Sequence, residues 1–143
     1  KGLRFIAAQV VGAAFGALLV AATIPNAMDV SLGAHSLAPG VPVIRGLILE
    51  AIITFALVFV VFATAIDRKG MGRLAPLAIG LTVLVGSFVA VPITGASMNP
   101  ARSMGPALVG ADWDMLWLYW AGPLIGGGLA SLGYQYMFIR RPD

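Results

Sequence analysis

The chain has 143 residues, 59% of them hydrophobic and only 10% charged, against about 25% charged in an ordinary soluble domain, so a soluble globular fold is excluded. With no cysteine and a single histidine, disulfides, thiolate metal centres and histidine clusters are excluded as well. The net charge of +3 comes from basic residues in short clusters between apolar runs, where they report membrane topology rather than nucleic-acid binding.

A hydrocarbon core takes about 20 residues at about 1.5 Å each, and four runs meet that length: residues 3–24, 43–66, 74–94 and 117–139. None alternates with period two, so each is predicted to be a helix rather than a barrel strand. The opening KGLRF has no initiator Met and no secretory signal pattern, and the chain is expected to be an excerpt of a longer protein. Lys1 and Arg4 precede the first span, Arg68, Lys69 and Arg73 fill the second connection, and Arg140 and Arg141 follow the last span. The positive-inside rule then puts these clusters, and both the Lys1 and Asp143 ends, on the cytoplasmic side. Asp29, His35, Asp112 and Asp114 are expected to face outward, with Arg45 the basic exception on that side. Trp113, Trp117, Tyr119 and Trp120 suit the outer interface, and Tyr134 and Tyr136 the inner one.

Residues 99–109 interrupt this pattern. As a fifth crossing they would reverse the last basic cluster, and they reach only about half of a ~30 Å core, so the segment must enter and return. Asn99 is predicted as the N-cap and Pro100 as the first helical residue, where its missing N–H costs nothing. Gly105 and Pro106 predict a short, partly irregular half-helix. Non-helical backbone at this depth is tolerated only beside protein or water, which implies a wet cavity. Gly12 with Gly16, and Gly122 with Gly126, predict close helix packing around it.

Three side chains carry the chemistry. Asn99 either merely caps the half-helix or also orients a passing oxygen with its amide N–H2, beside an N-terminus worth roughly half a positive charge. Arg102, at a cost of roughly 2.5–3.5 kcal/mol if held in lipid, either snorkels outward or lines an aqueous constriction, where it binds solute oxygens and repels cations. Glu50 is the only acid inside a span. It reads as a proton relay or coupling-ion site, or as a carboxylate that accepts hydrogen bonds from the loop at residues 95–98, and Gln9 as a similar structural polar group.

The NPARS segment, the Glu in the second span and the Gly-rich helices together resemble the major intrinsic protein family, the aquaporins and aquaglyceroporins, and TGASMNPARS is similar to their nodulin-like members. The resemblance covers the whole chain, as the third to sixth spans of a six-span inverted repeat whose first two spans and first half-helix are absent. It implies an all-α membrane bundle of four transmembrane helices plus one re-entrant half-helix, forming a single channel domain over residues 1–143. It also implies site roles. Met98, Asn99, Pro100 and Ala101 belong to the central constriction, Ser87, Ala96 and Arg102 to the outer filter, and the carbonyls of Gly95, Ala96 and Ser97 to an acceptor ladder. Val83 lies on the pore face, and Glu50 braces the loop. Strictly water-selective relatives usually carry histidine at the position of Ser87, so a wider filter is expected.

The expected function is therefore a passive channel in the cell membrane for water and small uncharged solutes such as glycerol, urea or metalloid acids, closed to ions and protons. It would work as a homotetramer in the lipid bilayer, without cofactor, metal, nucleic acid or covalent chemistry. The competing readings are a strictly water-selective channel, a secondary transporter with a broken helix, and a non-conducting structural fragment.

Overall fold

A computed structural model of the chain describes residues 2–139. The expectations for Lys1, Arg140, Arg141 and Asp143 lie outside those residues. The apolar runs form helices α1 (Gly2–Thr23), α2 (Val43–Val61), α3 (Ala75–Thr94) and α5 (Leu118–Tyr134), and the short segment forms α4 (Pro100–Gly110). Single π turns extend α2 over Phe62–Ile66 and α5 over Gln135–Ile139, and a 3₁₀ turn at Gly72–Leu74 leads into α3. Counting these extensions, Gly2–Thr23, Val43–Ile66 and Gly72–Thr94 are each long and apolar enough to cross a membrane. The fourth run forms the 17 residues of α5 plus the five of its π turn, about 33 Å at helical rise. The chain is a multi-pass, all-helical membrane protein, with no strand among the described residues.

Two close helix contacts set the architecture. On α5, a Cβ at Gly126 would fall within contact of the Ala51 carbonyl on α2, and one at Gly122 would lie 2.7 Å from the Cβ of Glu50. These glycines let the α2 and α5 backbones meet, as the sequence spacing predicts. Gly126→Ala is therefore expected to force the helices apart at a cost of about 1–3 kcal/mol, read as a lower midpoint of thermal unfolding in detergent. An unchanged midpoint would mean that the α2–α5 contact yields freely.

The other predicted glycine pair behaves differently. Positions Gly12 and Gly16 on α1 face open space, and the close approach is made by Ala13, whose backbone abuts Gly105 of α4. That contact also accounts for a second departure from expectation, since α4 continues unbroken through Gly105 and Pro106 to Gly110. Gly105 is where α4 touches α1, and Pro106 removes only the single N–H that would have bonded to the Arg102 carbonyl.

The connection between α1 and α2 is longer and more ordered than a surface loop. Irregular 3₁₀ turns at Ala27–Gly33 contain left-handed Ser31 and Leu32, and the strand-like stretch that follows is tied to the end of α3 by the Ala38 N–H donating to the Ile93 carbonyl at 2.9 Å. This path turns His35 inward. The residue, expected to face outward, is only 7% exposed. Tyr119, expected at the outer interface, is likewise turned inward. It is 1% exposed, with its ring 5.2 Å from that of His35, while Trp113 and Trp117 remain half exposed. At the other end, Tyr136 is exposed but Tyr134 is buried, and its hydroxyl donates to Asp67 Oδ2 at 2.9 Å. The Lys69 backbone N–H donates to the other carboxylate oxygen of Asp67 at 2.9 Å. With the Tyr134 bond, it holds this carboxyl below its ordinary pKa.

Candidate functional site

The site is built on the bend between α3 and α4. Three of its residues have left-handed backbone, Gly95 (φ 83), Ala96 (φ 57) and Met98 (φ 54), a conformation costing a residue with a Cβ roughly 1–2 kcal/mol. Such a backbone turns successive N–H groups to one side and makes a concavity that suits an anion. Glu50, about two turns into α2 and fully buried, fills it. Its Oε1 accepts from the Ser97 N–H at 2.9 Å and the Thr94 hydroxyl at 2.7 Å, and its Oε2 accepts from the Met98 N–H at 3.0 Å. The Thr94 oxygen in turn accepts from the Ala96 N–H at 3.2 Å. Buried donors that a left-handed bend leaves without backbone partners are thus satisfied by one side chain and its neighbour.

The bend also carries the chain back into the bundle. Met98 is buried in a cluster with Ile53 and Ala90, and its sulfur would lie 3.2 Å from a Cβ at Gly86, a residue about 12 Å before the end of α3. From there α4 runs outward again along α1, so it enters and returns without crossing. Asn99 has extended backbone (φ −154, ψ 115) and caps α4 through Oδ1, which accepts from the Ala101 N–H at 3.0 Å. Pro100 offers no N–H, so Ala101 is the first donor to be capped. The amide N–H2 of Asn99 is left as a donor at the positive end of the half-helix.

On the outer side a second hydrogen-bonded set follows. The hydroxyls of Ser97 and Ser103 are 2.6 Å apart, Ser103 Oγ lies 2.9 Å from His35 Nδ1, and Arg102 Nη1 lies 3.3 Å from the same ring nitrogen. A guanidinium only donates, so Nδ1 is the acceptor and the ring proton sits on Nε2. Burial first, and then the charge of Arg102, lower the pKa of this residue on the outer connection to about 3, so the ring is neutral at physiological pH.

The predicted site residues converge on one cavity of about 580 Å³, whose wall includes Val83, Ser87, Gly95, Ala96, Ser97, Met98, Asn99, Pro100 and Arg102, together with Gln9 and Thr54. Ala101 stands apart from it, in a neighbouring groove of about 460 Å³ between α1 and α4 that shares Gln9, Asn99 and Arg102. Glu50 sits behind the cavity wall. The sequence reading passed over His35, Ser103 and Thr94 as parts of this arrangement. Ser103 follows Arg102 directly and Thr94 ends the span, and that adjacency was the only signal available.

A membrane bundle whose buried half-helix aims a capped, electropositive end into a largely apolar cavity with a few polar groups is the class that this fold and site define. The chain belongs to the major intrinsic protein family, whose model matches residues 1–134. It is similar to probable aquaporin TIP3-2 of Arabidopsis thaliana, 49% identical over 141 residues, covering 97% of this chain and 52% of that protein. It is also similar to aquaporin TIP4-4 of Zea mays, 45% identical over 140 residues with 97% and 55% covered, and to probable aquaporin TIP2-2 of Oryza sativa subsp. japonica, 45% identical over 140 residues with 96% and 54% covered. These relatives carry the TIP-type name rather than the nodulin-like one suggested by TGASMNPARS. The chain spans about half the length of the curated relatives it matches.

Proposed function

We propose that the chain forms part of a passive membrane channel for water and small uncharged solutes such as glycerol, with a filter broader than that of a strict water channel. The observation that carries this reading is the cavity itself. Its lining brings together the Asn99 cap, the Arg102 guanidinium and the bend at residues 95–97 with Val83 and Ser87 of α3. Because the N–H groups of Ser97 and Met98 point to Glu50 and that of Ala96 to the Thr94 hydroxyl, the carbonyls of Gly95, Ala96 and Ser97 serve as acceptors for a solute moving through the cavity. Asn99 donates to an oxygen at the positive end of α4 and turns its hydrogens away, which breaks a proton-conducting file of waters, while Arg102 opposes cations. The aquaporin names of the relatives support the same reading. It extends to a homotetramer with a pore in each protomer and to cytoplasmic chain ends.

Filter width is tested at Ser87. In vesicles holding this chain co-expressed with the remaining part of a TIP-type relative, Ser87→His is expected to lower glycerol flux about tenfold, as for overpacking a fitted space, and water flux far less. Equal losses of both would refute the filter placement.

A further inference from the structure

We propose that Ser103 is a positioning residue for Arg102, acting through His35, and thereby sets the solute selectivity of the channel. The inference rests on the channel reading of the cavity, but its geometry is independent of it. The His35 imidazole is wedged in place. A Cβ at Gly95 would come 2.9 Å from its Cδ2, and the Tyr119 ring covers it at a centroid distance of 5.2 Å and an angle of 40°. These walls fix the plane of the ring but not its edge, because a half-turn about Cβ–Cγ exchanges Nδ1 for Cδ2 with almost no change of shape.

A hydrogen-bond donor at that edge makes the choice. Ser103 Oγ is 2.9 Å from Nδ1, and the residue is 2% exposed. Its hydroxyl donates to the ring and lies 2.6 Å from the Ser97 hydroxyl, whose single proton is shared between Ser103 Oγ and the Asn99 carbonyl at 3.0 Å. The Ser97 N–H is anchored on Glu50 at 2.9 Å. The chain of contacts therefore runs from the acid that holds the bend to the ring nitrogen that seats the guanidinium at 3.3 Å. Without the Ser103 hydroxyl only the longer Arg102 contact selects the ring edge. In the flipped ring a C–H faces Arg102, the guanidinium loses its acceptor and its planar fork swings from the wall into the cavity that it lines.

The experiment measures the glycerol-to-water permeability ratio of vesicles holding this chain co-expressed with the remaining part of a TIP-type relative. Ser103→Ala is expected to lower the ratio about threefold, the scale of one lost hydrogen bond, and Ser103→Thr, which keeps the hydroxyl, to restore it. In a His35→Ala background the same Ser103→Ala change is expected to have no further effect, because the two residues act as one unit. A ratio unmoved by Ser103→Ala, or lowered by the same factor in both backgrounds, overturns the proposal.

A readout that needs no flux uses the chain's only histidine. Ring ¹⁵N resonances of the 143-residue chain in bilayers are expected to show one species with Nδ1 unprotonated, splitting into two ring populations in Ser103→Ala. Coincident spectra overturn the proposal. An assembly that passes neither solute refutes the channel reading instead, and leaves the ring spectra to decide the role of Ser103.

Discussion

Glu50→Gln is expected to destabilise the protein by about 3 kcal/mol and to abolish water flux. The substitution keeps the volume of the side chain but replaces one acceptor oxygen by an N–H2. One of the two backbone N–H groups, Ser97 or Met98, then meets a donor instead of an acceptor. Leaving one buried donor unsatisfied costs about 1–3 kcal/mol, and exchanging a carboxylate for an amide weakens the bonds that remain. The left-handed backbone at Ala96 and Met98 adds its own strain. Thermal unfolding in detergent and stopped-flow swelling check the two halves of this expectation. A variant that melts and conducts like the parent would show that the bend holds its shape unaided.

Arg102→Val is expected to raise proton or cation leakage at least about fivefold while water still passes. A unit charge about 4 Å from an ion's path is worth roughly 1 kcal/mol in water and about 4 kcal/mol at an effective dielectric of 20. Arg102 is exposed to the cavity, so the lower figure applies, and 1 kcal/mol is about fivefold in rate. The half-charge at the N-terminus of α4 persists in the variant, so exclusion is weakened rather than lost. Dye-reported proton flux into liposomes is the measurement, and a leak equal to the parent's would contradict the electrostatic role of this residue.

The parts of the fold that depend on length and apolarity were legible in the sequence. The four runs became helices within a few residues of their expected ends, and the half-helix began at the Asn99 cap and Pro100 that announce it. Such signals are local, and a single helix expresses them. Signals that depend on a partner were not legible. Gly12 and Gly16 have the same spacing as Gly122 and Gly126, but only the second pair meets another backbone within the chain. Gly105-Pro106 looked like a break and proved to be a contact point, because the neighbour that rewards it, Ala13, lies more than 90 residues away. His35 is the clearest case. Nothing near it in sequence says that the connection between α1 and α2 folds over the half-helix, or that its ring is buried against Arg102, Ser103 and Tyr119. For the candidate site, the residues that line the cavity were read from one contiguous motif and one face of α3, while the side chains standing behind them required the tertiary path.

The bond between Glu50 and the bend joins residues 47 and 48 positions apart. The tip of α4 therefore takes its final shape only once α2 and α3 are in place beside it. A second helix must already stand in the bilayer, and a third must have been threaded and packed alongside it, before the acid is within reach. Until then the Asn99 segment is a polar stretch with open amides and no shelter, and for that interval the insertion machinery has to shield it from lipid.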